Sequence, residues 1–256
     1  MFKTMKELCK KAKKIDKEIK IVVSYAHDEE LLSTIIKARD LNLASFTLLG
    51  DGNKIESYLK ASKNDFHIVH MTDEIESNKM AIDMVYDGKV NGIMSGIAHP
   101  MKFCNVVNEK MTEKGGTNFL SHLGLFEIPG YNRIIFVTDA GINIAPDLSD
   151  KIKIVENSIK IANRLGLEKP LVAMITSIEK INYKAMPSTV DAAIIAKMSS
   201  NGDIKNAIID GPLALDNAIS ERSARIKGIK SPVACKADIL VLHNIETGNI
   251  LYKILT

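Results

Sequence analysis

Two polar segments follow short apolar runs, at points where an α/β sheet would present side chains to a ligand. After the run RIIFV, the chain reads TDAGINIAPD, which places Asp139 and Asn143 in one loop with a second carboxylate, Asp147. Carboxylates in such a loop can accept a proton during a reaction. A loop whose side chains bond only to its own backbone explains the same residues, and the sequence leaves both interpretations open.

A second candidate is the pair Ser95-Gly96, which follows the run VNGIM. A small turn that opens a helix can present backbone N–H groups to a phosphate. Ordinary turn chemistry accounts for this pair equally well, so the pattern alone does not establish a phosphate site.

The stretch DGPLALDNAIS contains a third candidate pair, Asp216-Asn217. We expect a strand to run into Asp210, Gly211 to make a sharp turn, and Pro212 to occupy the first helical position. Asp210 would then accept hydrogen bonds from the free N–H groups of that helix. Helix interiors do not require Asp-Asn, so a functional site is one explanation for the pair.

These candidates need elements to position them, and β-rich runs alternate with amphipathic helical patterns along most of the chain. Strands are predicted at 19–25, 44–50, 67–71, 90–96, 133–139, 170–176, 206–210 and 238–243. Helices are predicted at 28–40, 74–87, 150–165, 188–198 and 213–227. Alternating strands and helices predict an α/β fold with mostly parallel sheets.

One stretch, residues 111–133, is rich in glycine and lacks a clear helical pattern, so it predicts a domain crossing or a β-ribbon. We therefore place a first α/β domain at 1–120 and a second at 121–244. The C-terminal residues 245–256 are assigned to the first domain.

Composition excludes several classes of protein. The 256 residues are 46% hydrophobic and 25% charged with a formal net charge of +3, which is typical of a soluble protein that binds no nucleic acid. Three cysteines far apart in sequence indicate a reducing cytoplasm and no zinc motif. No apolar run is long enough to cross a membrane.

Other motifs are weak or missing. GDGN at 50–53 is too short for a dinucleotide fingerprint, and neither GxxxxGK[ST] nor GxSxG occurs. His67 and His70 are three apart on a predicted strand, so they point to opposite faces and do not form a metal pair. The residues by themselves indicate an α/β enzyme that binds a small anionic ligand.

Three longer stretches resemble the phosphate acetyltransferase and phosphate butyryltransferase family, and the butyryltransferase branch most. They are SHLGLFEIPGYNRIIFVTDAGINIAPDL (121–148), AIIDGPLALDNAIS (207–220) and ADILVLHNIETGNILYK (237–253). The resemblance implies acyl exchange between coenzyme A and phosphate, without a permanently bound cofactor or a covalent enzyme intermediate. It also implies a two-domain architecture like that of isocitrate and isopropylmalate dehydrogenases, with the active site in the cleft and a homo-oligomer built on the second domain.

The resemblance also assigns roles residue by residue. Catalytic roles fall to Asp139, Asn143 and Lys253, the last of these close to phosphate. Binding of coenzyme A and phosphate falls to Ser95, Gly96, Lys102, Gly248, Asn249 and Tyr252.

The chain departs from the family pattern at two places. The family has an arginine in the helix after the Ser-Gly loop, but no arginine occurs between Arg39 and Arg133, and Lys102 is the nearest substitute. Lysine lacks the guanidinium fork that binds phosphate at two points. The family also continues beyond Thr256 with a Ser-Arg motif and a catalytic acidic residue, so we expect its C-terminal segment to be missing.

These departures leave alternatives beside the acyltransferase. One is a catalytically impaired relative that acts as a binding or regulatory protein for coenzyme A esters or acyl phosphates. Another is an enzyme that passes acetyl from a protein thioester to phosphate. A dehydrogenase on the same fold would need a metal-binding aspartate cluster and a nucleotide loop, and the sequence contains no convincing example of either.

Overall fold

The computed structural model describes residues 3–14, 17–96, 100–115 and 119–256, and these form two compact units. The first unit is Cys9–Phe119, and the second is Leu120–Thr256 with the described residues up to Leu8. The division falls in the glycine-rich stretch in which we place the domain boundary.

The first unit is a four-stranded parallel sheet with the strand order β3-β2-β1-β4. The chain begins with α1 (Met5–Ala12) and continues as β1 (Lys20–Ser24), α2 (Glu29–Asp40), β2 (Ser45–Gly50), α3 (Gly52–Leu59), a 3-10 helix (Lys60–Asp65), β3 (His67–His70), α4 (Glu74–Tyr86), β4 (Gly92–Ser95) and α5 (Pro100–Glu113). The order reverses between β1 and β4, which creates a crevice at the carboxyl ends of these two strands.

Alternation along β1 explains why helices cover both faces of this sheet. Val23 packs with Leu32 of α2 in one core cluster, whereas Val22 packs with Ala81 of α4 in another. Successive side chains of a strand point to opposite faces, so adjacent valines require an apolar cover on each side. At the start of α2, the Asp28 carboxylate accepts a hydrogen bond from a backbone N–H group of the first turn.

The second unit is a five-stranded mixed sheet with the strand order β5-β6-β9-β7-β8. Its elements are β5 (Gly124–Glu127), β6 (Ile134–Thr138), α6 (Leu148–Arg164), β7 (Leu171–Ile175), α7 (Ser188–Asn201), β8 (Ile208–Leu213), α8 (Leu215–Ile219), α9 (Glu221–Ile226), β9 (Ile239–Val241) and α10 (Ile245–Leu255). Only the pair β5 and β6 is antiparallel. The predicted α/β fold with mostly parallel sheets is confirmed, and β5 is the ribbon strand in the glycine-rich stretch.

The predicted turn at Gly211 and the predicted helix start at Pro212 are wrong, because β8 continues through both residues. The register shifts so that β8 carries an extra residue opposite β7, and β8 is the edge strand of its sheet. Edge strands and bulges are the positions in a sheet that tolerate proline. Asp210 accepts its hydrogen bond from the N–H group of Gly211 (2.9 Å), and the helix begins later, at Leu215.

Residues 245–256 lie in the second unit, whereas we assigned them to the first domain. Leu251 and Leu255 of α10 pack against the core cluster that contains Val137 of β6 and Leu240 of β9. This contact arises because α10 follows β9 directly and folds back over the sheet. Among the described residues, no helix is both long enough and apolar enough to cross a membrane.

Candidate functional site

The loop after β6 is organised around the carboxylate of Asp139, which is only 2% exposed. One carboxylate oxygen accepts hydrogen bonds from the N–H groups of Gly141 (2.8 Å) and Ile142 (2.9 Å). The other accepts from the Asn143 side chain (2.6 Å) and from the N–H groups of Asn143 (3.3 Å) and His122 (3.2 Å). A carboxylate with five N–H donors holds the backbone of its loop in one shape.

Asn143 connects this loop to the segment before β5. Its side-chain N–H₂ group donates both to Asp139 and to the carbonyl of Leu120 (2.9 Å). The structure therefore brings Asp139 and Asn143 together in direct contact, as their shared loop suggested. The loop forms hydrogen bonds within its own backbone and also with Leu120 and His122, which precede β5.

The first turn of α10 packs against the same loop. A Cβ atom at Gly248 would collide with the carbonyl oxygen of Asp139 and would approach Cα of Ala140 to 3.1 Å. Asn249 donates a hydrogen bond from its side chain to the carbonyl of Ala140 (3.0 Å). The Gly-Asn pair of GNILYK thus supports the Asp139 loop, and glycine is required because two backbones meet there.

Tyr252, one helical turn later, packs its ring edge-to-face against two other rings. The centroid of its ring is 5.1 Å from that of His122 and 5.3 Å from that of Phe126. Nδ1 of His122 is buried and has no hydrogen-bond partner among the described residues. The sequence reasoning did not select His122, which contacts both Tyr252 and the Asp139 loop, although it lies in the quoted stretch SHLGLFE.

Lys253 is exposed at the end of α10. Its ammonium nitrogen lies 6.0 Å from the centroid of the Tyr252 ring, and no ion pair joins it to a carboxylate of the described chain. A cation without a carboxylate partner can bind an anionic ligand at small cost, since no existing ion pair must break.

In the first unit, Ser95-Gly96 ends β4 at the crevice beside β1. The N–H group of Gly96 donates to the carbonyl of Ser24 (2.8 Å), and a Cβ atom there would collide with the carbonyl of Tyr25. Ser95 is exposed, with its hydroxyl 3.3 Å from the carbonyl oxygen of Gly96. Glycine at 96 therefore allows the close approach of two strand ends, and His99, after this loop, lies outside the described residues.

Lys102, the nearest substitute for the family's arginine, is engaged with a carboxylate. Its ammonium lies 3.1 Å from one oxygen of Glu74 on α4. The other oxygen of Glu74 is buried without a hydrogen-bond partner in the described part of the chain. To reach a ligand, Lys102 would have to leave Glu74.

Asp216-Asn217 lies in the short helix α8, and the two side chains have different surroundings. Asn217 is fully buried, and its amide donates a hydrogen bond to the carboxylate of Glu179. Asp216 is exposed and forms an ion pair with Lys227 (3.1 Å), which also pairs with Glu179 (3.1 Å). The pair therefore ties the segment after β7 to α8 and α9.

A partly buried ion pair lies near the carboxyl edge of the same sheet. The ammonium of Lys151 in the first turn of α6 is 2.6 Å from the carboxylate of Asp191 in the first turn of α7. Burial lowers the pKa of His243, which follows β9, and the positive charge of Lys151 lowers it further. At neutral pH the folded chain therefore favours the neutral form of the His243 imidazole.

His67 and His70 lie at the two ends of β3, where Nδ1 of His70 accepts a hydrogen bond from the N–H group of Gly52 (3.1 Å). In the described residues, no group of three or more His, Cys, Asp or Glu side chains is placed to hold a metal ion.

Comparison with known proteins shows similarity along most of the chain. The family model described as phosphate acetyl/butaryl transferase matches residues 59–256. The phosphate butyryltransferase of Clostridium acetobutylicum is 41% identical over 261 residues, which cover 100% of this chain and 85% of that protein. The phosphate acetyltransferase of Thermotoga maritima is 36% identical over 92% of this chain and 81% of its own length.

A solved structure agrees with this similarity. The branched-chain phosphotransacylase of Enterococcus faecalis superposes with a TM-score of 0.80 at 29% identity, covering 93% of this chain and 83% of the other. The dehydrogenase-like architecture that the sequence resemblance implies is consistent with this neighbour.

Proposed function

This chain belongs to the phosphate acetyl/butaryl transferase family, and we propose that it exchanges a short acyl group, butyryl in particular, between coenzyme A and phosphate. The observation that carries this proposal is the 41% identity to a phosphate butyryltransferase over the whole chain. The proposal names butyryl because phosphate acetyltransferases match the chain at lower identity.

The reaction needs no group on the protein to become covalently attached to the acyl chain. An oxygen of phosphate attacks the thioester carbonyl, the carbon–sulfur bond breaks, and coenzyme A leaves as a thiolate that takes up a proton. In the reverse direction the thiolate attacks the acyl phosphate, and phosphate leaves. The protein must bind the anions, position the two reactants and provide donors to the oxyanion, and positioning alone lowers a barrier by up to about 7–11 kcal/mol.

We assign binding of phosphate to Lys253, because its ammonium has no carboxylate partner among the described residues. Asp139 and Asn143 are assigned as positioning residues, since their polar groups hold the loop rather than pointing away from it. Gly248, Asn249 and Tyr252 support that loop from α10. Ser95 and Gly96 are assigned to anion binding at the crevice of the first unit, with Lys102 as the nearby cation.

We further propose that the protein works in the cytoplasm as a homo-oligomer through its second unit, with acyl-CoA and phosphate as substrates and no permanently bound cofactor. Large apolar side chains exposed on that unit, such as Ile144 (67%) and Ile226 (73%), support an interface there. Light scattering coupled to size-exclusion chromatography measures the oligomeric state directly, and a monomer at micromolar concentration would contradict this proposal.

The activity is tested by the release of free thiol from butyryl-CoA, with and without phosphate. We expect a rate that depends on phosphate. A thiol release that is the same without phosphate would indicate simple hydrolysis and would overturn the proposal.

Lys253→Ala tests the assignment of the phosphate site. We expect the KM for phosphate to rise roughly tenfold or more, the loss typical of one charge-assisted hydrogen bond, while the KM for butyryl-CoA changes little. Lys253→Arg should retain part of the affinity, and Lys230→Ala, which removes another exposed lysine of the same unit, should have no effect. An equal rise in both KM values would show that Lys253 does not bind phosphate.

A further inference from the structure

A cavity of about 670 Å³ lies between α2 and α3 of the first unit, and it contains none of the residues assigned above to acyl transfer. His27 from the turn after β1, Leu32 of α2 and Tyr58 of α3 line this α2–α3 cavity. The cavity runs along the two helices, from His27 just after β1 to Lys60 just after α3. The volume is within the range of pockets that hold small organic ligands.

The charges on the cavity wall favour an anion. Lys54 and Lys60 both line the cavity, and no ion pair occupies either ammonium within the described part of the chain. Lys63, just outside the cavity, pairs instead with Glu56 at 2.9 Å. Glu29 also lines the cavity, so two basic residues and one acidic residue contribute to its wall.

The backbone at Lys60 has a conformation that lysine disfavours. Lys60 follows α3 with φ 49° and ψ −114°, a positive-φ conformation that residues other than glycine rarely adopt. A lysine at such a position costs conformational free energy that glycine would avoid. Strained residues of this kind cluster at ligand sites, and this one contributes its side chain to the cavity.

The aromatic residues of the cavity provide a second type of contact. The ring of His27 packs edge-on against that of Tyr25, with centroids 4.2 Å apart. Nδ1 of His27 is buried, and no described residue forms a hydrogen bond with it. The rings of His27 and Tyr58 line the same cavity as the two lysines, an arrangement suited to a planar base that carries phosphate.

We infer that the α2–α3 cavity binds a nucleotide, with Lys54 and Lys60 on its phosphate and the rings of His27 and Tyr58 against its base. A narrower assignment rests on the proposed function. Coenzyme A ends in an adenosine 3′-phosphate, and this end of acyl-CoA occupies the α2–α3 cavity.

The binding site is tested by titration calorimetry of the whole chain with adenosine 3′,5′-bisphosphate and, separately, with adenosine 5′-monophosphate. We expect Lys54→Ala/Lys60→Ala to bind the bisphosphate roughly tenfold or more weakly than the unaltered chain. The control Lys63→Ala/Lys89→Ala removes the same charge from exposed ion pairs of the same unit and should bind normally. Unchanged affinity in the first variant, or an equal loss in the control, would overturn the inference.

The identity of the nucleotide is tested by kinetics with butyryl-CoA and its 3′-dephospho form. In Lys54→Ala/Lys60→Ala, the KM for butyryl-CoA should rise roughly tenfold at constant kcat, whereas the KM for the dephospho form should not change. An equal change in KM for both substrates would exclude coenzyme A as the occupant and indicate a free nucleotide. In the calorimetry, adenosine 5′-monophosphate binding as tight as bisphosphate binding would lead to the same conclusion. Bisphosphate binding through the two lysines without any phosphate-dependent thiol release would overturn the proposed function and retain the nucleotide site.

Discussion

At the residue scale, Asp139 and Gly248 both determine the structure of the loop after β6. Asp139 gathers the N–H groups of its loop, and Gly248 allows α10 to approach the backbone of that loop. The motif GNILYK pointed to Gly248 and Asn249 as candidate site residues, and their packing partners, Asp139 and Ala140, lie over a hundred residues earlier in the chain. His122 was missed because a lone histidine before a strand carries no spacing signal.

Gly248→Ala should destabilise the second unit and reduce acyl transfer. The added methyl group would collide with the carbonyl of Asp139, and overpacking of this kind costs roughly 1–3 kcal/mol. Urea unfolding measures the loss of free energy, and the thiol assay measures the rate. Gly92→Ala is the matched control, because nothing lies within 4 Å of a Cβ atom there. Equal stability of the two variants would show that the loop yields to the methyl group.

At the element scale, the region after β8 differs most from what its sequence suggests. The predicted helix 213–227 is two short helices, α8 and α9, separated at Ser220, whose φ of −118° and ψ of 117° are those of extended backbone. Ser220 accepts a hydrogen bond from the N–H group of Ser223 (3.3 Å) and so begins α9. Apolar periodicity continues across this break, which is why the pattern predicts a single helix.

Asn217→Ala should destabilise the fold more than Asp216→Ala. Asn217 is buried, and its loss would leave the Glu179 carboxylate without that amide donor, at a cost of about 1–3 kcal/mol. Asp216→Ala removes only an exposed ion pair with Lys227, which contributes about 1 kcal/mol or less to stability. Urea midpoints of the two variants measure this difference.

The activity of Asp216→Ala, compared at equal stability, gives a further distinction. A lower rate would place Asp216 at the substrate site, whereas an unchanged rate with a weakened oligomer would place it at a subunit interface. Equal destabilisation by Asn217→Ala and Asp216→Ala would contradict the prediction that the buried side chain contributes more to stability than the exposed one.

At the scale of the whole molecule, each unit has its own sheet and its own core clusters. Charged groups are nevertheless buried in the second unit, where Lys151 pairs with Asp191 close to His243. Because the fold lowers the pKa of His243, the unfolded chain binds this proton more readily than the folded chain does. The free energy of unfolding should therefore depend on pH through this residue.

The contribution of His243 should be constant above its unfolded pKa of 6.5 and should fall as the pH decreases from 6.5 towards the lower folded pKa. Urea unfolding at pH 7.5 and at pH 5.5 measures the decrease in the free energy of unfolding. In His243→Gln, which cannot take up the proton, this part of the decrease should disappear. The same decrease in both proteins would show that other groups cause it.

The sequence by itself determined the fold class, the positions of every described strand except β5, and the family. Alternating apolar runs specify local secondary structure through nearest-neighbour sterics and burial, so the eight predicted strands are all present in the sheets. Three long motifs identified a family that the comparisons confirm. Both kinds of signal are contained in contiguous residues.

Only the tertiary structure decided which side chains meet. Pro212 stays in a strand because β8 lies at an edge with a bulge, which depends on the order of the strands rather than on the residues beside it. Asp139 meets His122 and Gly248 because β6, the segment before β5 and the first turn of α10 converge at one edge of the sheet. Contacts between segments so distant in the chain form only when the sheet brings their ends together, and no local pattern encodes them.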